Sequence, residues 1–99
     1  MVDDLRFEWD NRKAAANLRK HGVSFEEAQT VFYDERALFQ EDAEHSQDED
    51  RFLILGLSIT TRVLVVCHCY RESDEVIRVI SARKADAEER AKYESRNKP

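Results

Sequence analysis

The chain has 99 residues, of which 41% are hydrophobic, so we expect a single domain over residues 1–99. No apolar run approaches the roughly 20 residues of a membrane span, and the N-terminal stretch lacks a signal-peptide pattern, which predicts a cytoplasmic protein without membrane contact. The net charge of −5 argues against loose, non-specific nucleic-acid binding.

The first third of the chain predicts one strand and two helices. Apolar and charged side chains alternate in "LRFEW" (5–9), which is typical of a half-buried strand. Asp10 then caps a helix over residues 11–21, and Gly22 supplies its left-handed stop. Ser24 and Glu27 form the capping-box signature of a second helix, "SFEEAQTVFYD".

The remainder is mostly extended until its last helix. The pattern predicts a short strand at 37–41, a polar loop at 42–50, and strands at 51–58, 61–71 and 75–83 that are separated by hairpin-sized gaps. Asp86 and Glu89 repeat the capping signature before the helix "AEERAKYESR". The order β-α-α-β-β-β-β-α predicts an α+β fold, with a four- to five-stranded, mainly antiparallel sheet, two N-terminal helices and a C-terminal helix.

Two cysteines lie in "VLVVCHCYR". On a strand, Cys67 and Cys69 point to one face about 7 Å apart, with side chains parallel rather than convergent, which does not favour a disulfide. His68 points to the opposite face, so the three residues cannot form a tetrahedral metal site. We expect buried, reduced thiols, with no metal and no cofactor.

The charge is divided unevenly along the chain. Residues 1–50 hold 6 Lys and Arg against 14 Asp and Glu, whereas residues 51–99 hold 10 against 7. The second half can therefore form a compact cationic pocket, and the acidic segment 26–50 can meet a cationic partner. The alternative, that both blocks are solvated surface, stays open.

Four blocks of the chain resemble the BrnT family of bacterial toxins, which are small ribonucleases of type II toxin–antitoxin pairs with a RelE-like fold. The resemblance rests on "FEWDNRKAAANLRKHGVSFEEAQTVF" (7–32), "EHSQDEDRFLILGLS" (44–58), "RVLVVCHCYR" (62–71) and "IRVISARKADAEERAKYE" (77–94). It implies a metal-independent endoribonuclease that inhibits translation. It also implies a hetero-oligomer with a ribbon-helix-helix antitoxin, which alone contacts the operator DNA.

Metal-free cleavage of RNA needs cations for the phosphate and a group that transfers protons. In "VIRVISARKA" (76–85) we expect Arg83 to clamp the phosphate and Lys84 to assist it. Strand alternation places Arg78 on the opposite face from Arg83. Arg78 is therefore either catalytic or paired with an acid on a covering helix.

Three further positions are candidates with a structural alternative each. His68 is either a general acid or base or a hydrogen-bonded core residue, and Arg62 is either a phosphate contact or hairpin surface. Tyr93 either stacks on an RNA base or donates a proton, or it is part of the contact between helix and sheet.

Lys13 and Lys20 lie two helical turns apart on one face, near His21. They either follow an RNA backbone or form a solvated face.

Two functions follow from these candidates. The first is the toxin ribonuclease, which is neutralised when an antitoxin segment covers Arg83. The second is a non-catalytic interaction module that acts as corepressor or dimer partner of a DNA-binding antitoxin, in which the cations are structural.

Overall fold

In the part of the chain that the structure describes, three helices and five strands make an α+β fold in the order β-α-α-β-β-β-β-α. The computed structural model describes residues 5–42 and 50–96, so most of the predicted polar loop lies outside the described residues. The helices are α1 (Asn11–His21), α2 (Phe25–Thr30) and α3 (Ala87–Arg96), and a 3₁₀ turn (Val31–Tyr33) follows α2. The strands are β1 (Arg6–Glu8), β2 (Leu38–Glu41), β3 (Phe52–Leu57), β4 (Val63–Arg71) and β5 (Val76–Lys84).

The five strands form one mixed sheet in the order β1-β5-β4-β3-β2. Antiparallel pairings join β2 to β3, β3 to β4 and β4 to β5, whereas β1 runs parallel to β5. β1 is short and pairs only with Val76, Ile77 and Arg78. In the described part of the chain, the last six residues of β5 therefore have β4 on one side and no strand on the side of β1.

The helices cover the two faces of the sheet unequally. α1 and α2 lie over the larger core, which contains Val23, Phe25, Ala28, Val31, Ile54, Leu64, Val66, Val79 and Ala82. A smaller cluster on the opposite face contains Leu55, Val65, Ala85 and Tyr93 of α3. We call this second face the open face, because α3 covers only one end of it.

A β-bulge in β5 changes which side chains share the open face. Cys67 lies opposite Ser81 and His68 lies opposite Val79, so Ile80 is an extra residue in β5. Arg78 lies opposite Cys69, two positions from Cys67 on the same face of β4. Arg78 therefore shares the open face with Arg83, and the expectation from simple alternation, which separated them, was wrong.

The caps explain why the helices begin and end where they do. Asp10 accepts a hydrogen bond from the Lys13 amide at 3.0 Å, and Gly22 has a φ of 69° at the end of α1. Both residues fill the predicted roles, because Asp10 satisfies an amide at the helix start and glycine adopts the left-handed conformation without strain.

The capping box of α3 forms in both directions. Asp86 Oδ1 accepts from the Glu89 amide at 2.7 Å, and Glu89 Oε1 accepts from the Asp86 amide at 2.9 Å. At α2, Ser24 accepts from the Glu27 amide at 3.0 Å, whereas the Glu27 carboxylate contacts Arg62 instead. Only half of this predicted box forms, because a cation 35 residues away competes for the carboxylate.

No helix within residues 5–42 and 50–96 is long and apolar enough to cross a membrane.

Candidate active site

A cleft of about 460 Å³ opens beside the second half of β5, at the edge that β1 leaves uncovered. The lining residues with polar, charged or thiol side chains are His21, Asp42, Arg51, Cys67, Ser81 and Arg83. These residues come from α1, from the ends of the β2–β3 hairpin and from the two central strands of the sheet. The cleft therefore joins the acidic first half of the sequence to its cationic second half.

Asn17 fixes α1 against this edge of β5. The side-chain amide of Asn17 donates to the carbonyl of Ala82 at 2.8 Å and accepts from the Ala82 amide at 3.1 Å. It also donates to the carbonyl of Val23 at 2.9 Å. His21 follows one helical turn later on the same face of α1, so these bonds hold the imidazole at the lip of the cleft.

His21 is half-buried and makes no hydrogen bond or ion pair with any residue in the described ranges. Imidazole is the side chain that exchanges protons most readily near neutral pH. The His21 side chain is thus without a hydrogen-bond partner among the described residues, on the cleft side of α1.

Arg83 enters the cleft with one edge of its guanidinium already engaged. Nη1 and Nη2 donate to the two oxygens of Glu89 at 2.7 and 3.0 Å, and Nη1 also lies 3.4 Å from the carbonyl of Lys84. This ion pair raises the pKa of Arg83 and lowers the pKa of Glu89. The Arg83 side chain remains 43% exposed.

The floor of the cleft contains a neutral thiol. Burial, together with the Asp42 carboxylate, raises the pKa of Cys67 to about 11. The Cys67 Sγ lies 3.8 Å from Asp42 Oδ2. A thiol in this environment stays protonated at neutral pH, so Cys67 is a poor nucleophile. Cys67 and Cys69 are both buried and do not form a disulfide, as their position on a strand predicts.

Arg62 lies away from this cleft, in an ion pair with Glu27. Its Nε donates to Glu27 Oε2 at 3.0 Å, its Nη2 bonds the other carboxylate oxygen, and Nη2 also donates to the carbonyl of Gly22 at 3.1 Å. The Arg62 hydrogen bonds hold the pKa of Glu27 at about 2. Arg62 thereby ties the β3–β4 turn to α2.

A second cleft of about 400 Å³ contains Arg62, Lys84 and Tyr93. Lys84 lies opposite Leu64, which belongs to the core under α1 and α2, so its side chain leaves β5 on the face opposite Arg83. Tyr93 is buried, and its hydroxyl donates to Asp34 at 2.6 Å. Burial and this carboxylate raise the pKa of Tyr93 to about 12.

Arg78 shares the open face with Arg83 but contacts an acid of β1. Its Nη1 lies 2.8 Å from Glu8 Oε2, so the partner is on a neighbouring strand and not on a covering helix. Arg78 and Arg83 lie opposite residues four apart on β4, which separates them by about 13 Å along the sheet. Each guanidinium is paired with a different acid, Glu8 for Arg78 and Glu89 for Arg83, so the structure does not present the two cations as one phosphate site.

His68 is fully buried among aromatic rings. Its ring centroid lies 4.7 Å from that of Phe32 and 5.4 Å from that of Tyr70. Nδ1 is 3.2 Å from the carbonyl of Val66, and burial lowers the pKa of His68 to about 4. The imidazole is therefore neutral at pH 7 and out of reach of a substrate at the surface.

Lys13 and Lys20 are exposed on α1. Lys20 adjoins His21 in sequence but does not line the cleft.

Of the eight candidate residues, the structure places only Arg83 in the first cleft. His21, Asp42 and Arg51 lie there too, although sequence reasoning did not place them beside Arg83. The sequence feature that could have indicated His21 as a site residue is its position at the glycine-capped end of a helix. Its orientation depends on Asn17, whose bonds to Ala82 span 65 residues.

Among the residues that the structure describes, no group of three or more His, Cys, Asp or Glu side chains is arranged to hold a metal ion.

Comparison with known proteins identifies the family. Residues 9–89 match the model of the ribonuclease toxin BrnT of type II toxin–antitoxin systems. The crystal structure of the ribonuclease toxin BrnT from Brucella abortus superposes with a TM-score of 0.63 at 22% identity, over 84% of this chain and 99% of that chain. None of the curated proteins matches. The chain belongs to the BrnT family of type II toxin–antitoxin ribonuclease toxins.

Proposed function

We propose that this protein is a metal-independent endoribonuclease whose active site is the cleft between α1 and β5. One observation carries the proposal: the cleft brings an uncommitted imidazole, His21, together with a cation held on the rim, Arg83. The family adds that its members are ribonuclease toxins. In this proposal residues 1–99 form one RelE-like toxin domain that acts in the cytoplasm and inhibits translation.

The proposed reaction uses the 2′-hydroxyl of RNA as the nucleophile. His21 takes the proton of that hydroxyl while its oxygen forms a bond to phosphorus. Arg83 donates hydrogen bonds to the phosphate oxygens, on which negative charge accumulates. The bond from phosphorus to the 5′-oxygen then breaks, this oxygen takes a proton from water, and the resulting hydroxide takes the proton back from His21, which restores both water and the neutral imidazole. The products are a 2′,3′-cyclic phosphate and a 5′-hydroxyl.

The test is cleavage of a defined RNA in EDTA by the wild type and by two variants. We expect Arg83→Ala and His21→Asn each to lower the rate by roughly 100-fold or more. Arg19→Ala is the matched control, because it removes the same charge from an exposed position of α1 and leaves the cleft intact. Cyclic phosphate ends in the wild-type products identify the chemistry.

Three outcomes would contradict the proposal. Wild-type rates in both cleft variants would place the chemistry elsewhere, and activity that EDTA abolishes would remove metal independence. If Arg83→Ala unfolds the domain, as followed by circular dichroism, Arg83 is a structural cation. Cleavage that occurs only in a translating extract would keep the active site and add the ribosome as a requirement.

The proposed partner is a ribbon-helix-helix antitoxin that forms a hetero-oligomer with the toxin and alone contacts operator DNA. Support comes from the type II family, whose toxins pair with an antitoxin. Residues 1–50 carry a net charge of −8, from 14 acids and 6 bases, which suits a cationic partner segment and fast association at low salt. Association that does not change with salt would exclude this electrostatic contribution.

The second candidate is a non-catalytic interaction module that acts as corepressor or dimer partner of the antitoxin. The observation in its favour is that Arg62, Arg78 and Arg83 are all ion-paired, with Glu27, Glu8 and Glu89. It predicts full repression of the operon by Arg83→Ala together with its antitoxin, and no RNA cleavage by the wild type under any condition.

A further inference from the structure

We propose that Glu89 is a positioning residue, which holds Arg83 by one edge of the guanidinium and leaves the other edge for the scissile phosphate. The inference rests on the proposed ribonuclease function. It makes the first turn of α3 part of the catalytic apparatus, although no atom of Glu89 touches the RNA.

The geometry of the ion pair leaves half of the guanidinium unused. Glu89 accepts from Nη1 and Nη2, at the end of the side chain. Nε and the second hydrogen of Nη2 have no acceptor among residues 5–42 and 50–96. These two N–H groups form a second parallel pair of donors, the arrangement that matches two oxygens of a phosphate.

The Glu89 carboxylate is itself fixed from a second direction. Its Oε1 also accepts from the Asp86 amide at 2.9 Å, as part of the capping box that starts α3. Asp86 completes that box by accepting from the Glu89 amide at 2.7 Å. The helix start thus holds the carboxylate, and the carboxylate holds Arg83.

The ion pair has opposite effects on substrate binding and on the chemical step. A free arginine side chain has considerable rotamer entropy, which it loses when it binds one phosphate in one orientation. The Glu89 contact removes much of that freedom in advance, which favours the transition state. Its negative charge also weakens the attraction of RNA to the cleft. Loss of the charge should therefore lower kcat without raising KM.

The experiment is steady-state cleavage of a defined RNA by Glu89→Gln. Glutamine retains an oxygen for the Asp86 amide but gives Arg83 a neutral, single-acceptor partner. We expect kcat to fall roughly 10- to 100-fold, with KM unchanged or lower. A purely structural role would instead lower the melting temperature and leave kcat per folded molecule unchanged.

Two control variants separate the position of Glu89 from its charge and from the stability of α3. Glu88→Gln removes the same charge from the same helical turn at an exposed position. Ala91→Gly weakens the helix at an exposed residue, because glycine has a lower helix propensity than alanine. We expect both controls to keep the wild-type kcat and KM.

Each alternative outcome overturns the inference in a distinct way. A higher kcat for Glu89→Gln means that the carboxylate blocks Arg83, and equal changes in Glu89→Gln and Glu88→Gln mean that only net charge matters. If the wild type is active, Arg83→Ala is inactive and Glu89→Gln is unaffected, the positioning role of Glu89 is contradicted. The same result supports the proposed function. A wild type that cleaves no RNA, free or on ribosomes, would end both.

Discussion

Asn17 satisfies both backbone groups of Ala82, through one hydrogen bond that it accepts at 3.1 Å and one that it donates at 2.8 Å. A neighbouring β-strand would make the same pair of bonds. β1 ends opposite Arg78, so a side chain from α1 replaces a strand at this point of β5. The backbone hydrogen-bonding groups of Ala82 at this edge are therefore satisfied although no strand of the described residues covers them. The cleft occupies the space beside this edge.

We expect Asn17→Ala to lower the free energy of unfolding by roughly 2–4 kcal/mol, because it leaves Ala82 and Val23 with unsatisfied buried backbone groups. Asn17→Asp should be comparably harmful, since a carboxylate can accept but cannot donate. Urea unfolding measures both, with Asn11→Ala at an exposed position of the same helix as control. Equal stability of the Asn17→Ala and Asn11→Ala proteins would mean that the contact to Ala82 is not stabilising.

The buried imidazole of His68 should make stability depend on pH. Burial lowers its pKa from 6.5 to about 4, so the unfolded chain binds a proton at a higher pH than the folded chain. The free energy of unfolding should decrease as the pH falls from about 6.5 to about 4, by up to roughly 3 kcal/mol.

His68→Phe keeps a ring in the aromatic cluster and cannot be protonated. It should abolish this slope and leave RNA cleavage at pH 7 intact. Urea unfolding across the pH series tests the first expectation. Loss of cleavage in a folded His68→Phe protein would mean that His68 takes part in catalysis.

The ion pair of Glu27 with Arg62 should make the free energy of unfolding depend on pH over a lower pH range than His68 does. Its hydrogen bonds lower the pKa of Glu27 from 4.5 to about 2. The stabilisation is complete above about pH 4.5 and is lost as the pH falls to about 2. Because Arg62 is 33% exposed, we expect roughly 2 kcal/mol rather than the full value of the shift.

Glu27→Gln should remove this contribution at pH 7, whereas Glu26→Gln, at the exposed neighbouring position, should change the free energy of unfolding by less than about 0.5 kcal/mol. Chemical denaturation of both variants at pH 7 and pH 3 makes the comparison. The difference between them should shrink at pH 3.

We expect alanine to destabilise the protein at both glycines, but by different mechanisms. A Cβ on Gly56 would lie 2.8 Å from Val31 Cγ1 and 3.1 Å from Ala37 Cβ, whereas a Cβ on Gly22 meets no atom within 4 Å. We expect Gly56→Ala to cost about 1–3 kcal/mol by overpacking. Gly22→Ala should cost about 1 kcal/mol through its positive φ.

A double-mutant cycle checks the first cause. Val31→Ala should be less harmful in the Gly56→Ala background than in the wild type, because it removes the methyl group that is crowded. Strict additivity of the two substitutions would mean that some other contact limits position 56.

Local signals predicted the elements of the fold well. The bounds of α1 and α3 follow from Asp10, Gly22 and the pair Asp86 and Glu89, because caps act within one helical turn. The parallel pairing of β1 with β5 joins segments about 70 residues apart. Hydrophobic periodicity describes one segment at a time and carries no information about such a pairing.

The candidate site was harder to predict, since its geometry depends on long-range contacts. Ile80, the extra residue of the bulge, fits an alternating pattern in sequence but reverses which face Arg78 occupies. The capping box offers the Glu27 carboxylate a local partner, the backbone amide at the helix start, and the fold offers a distant one, Arg62. The carboxylate accepts from Arg62. His68 had two interpretations in sequence, and the burial of its strand favours the core one.

The order of α1 before β5 along the chain has a consequence for how the protein is made. A ribosome part-way through synthesis has released α1 with His21, while Arg83 has not yet been added. β1 also has to wait for β5 as its partner, and pairings between distant segments form late in folding. A ribosome that has not yet added β5 is therefore not exposed to an assembled cleft of the chain that it is making.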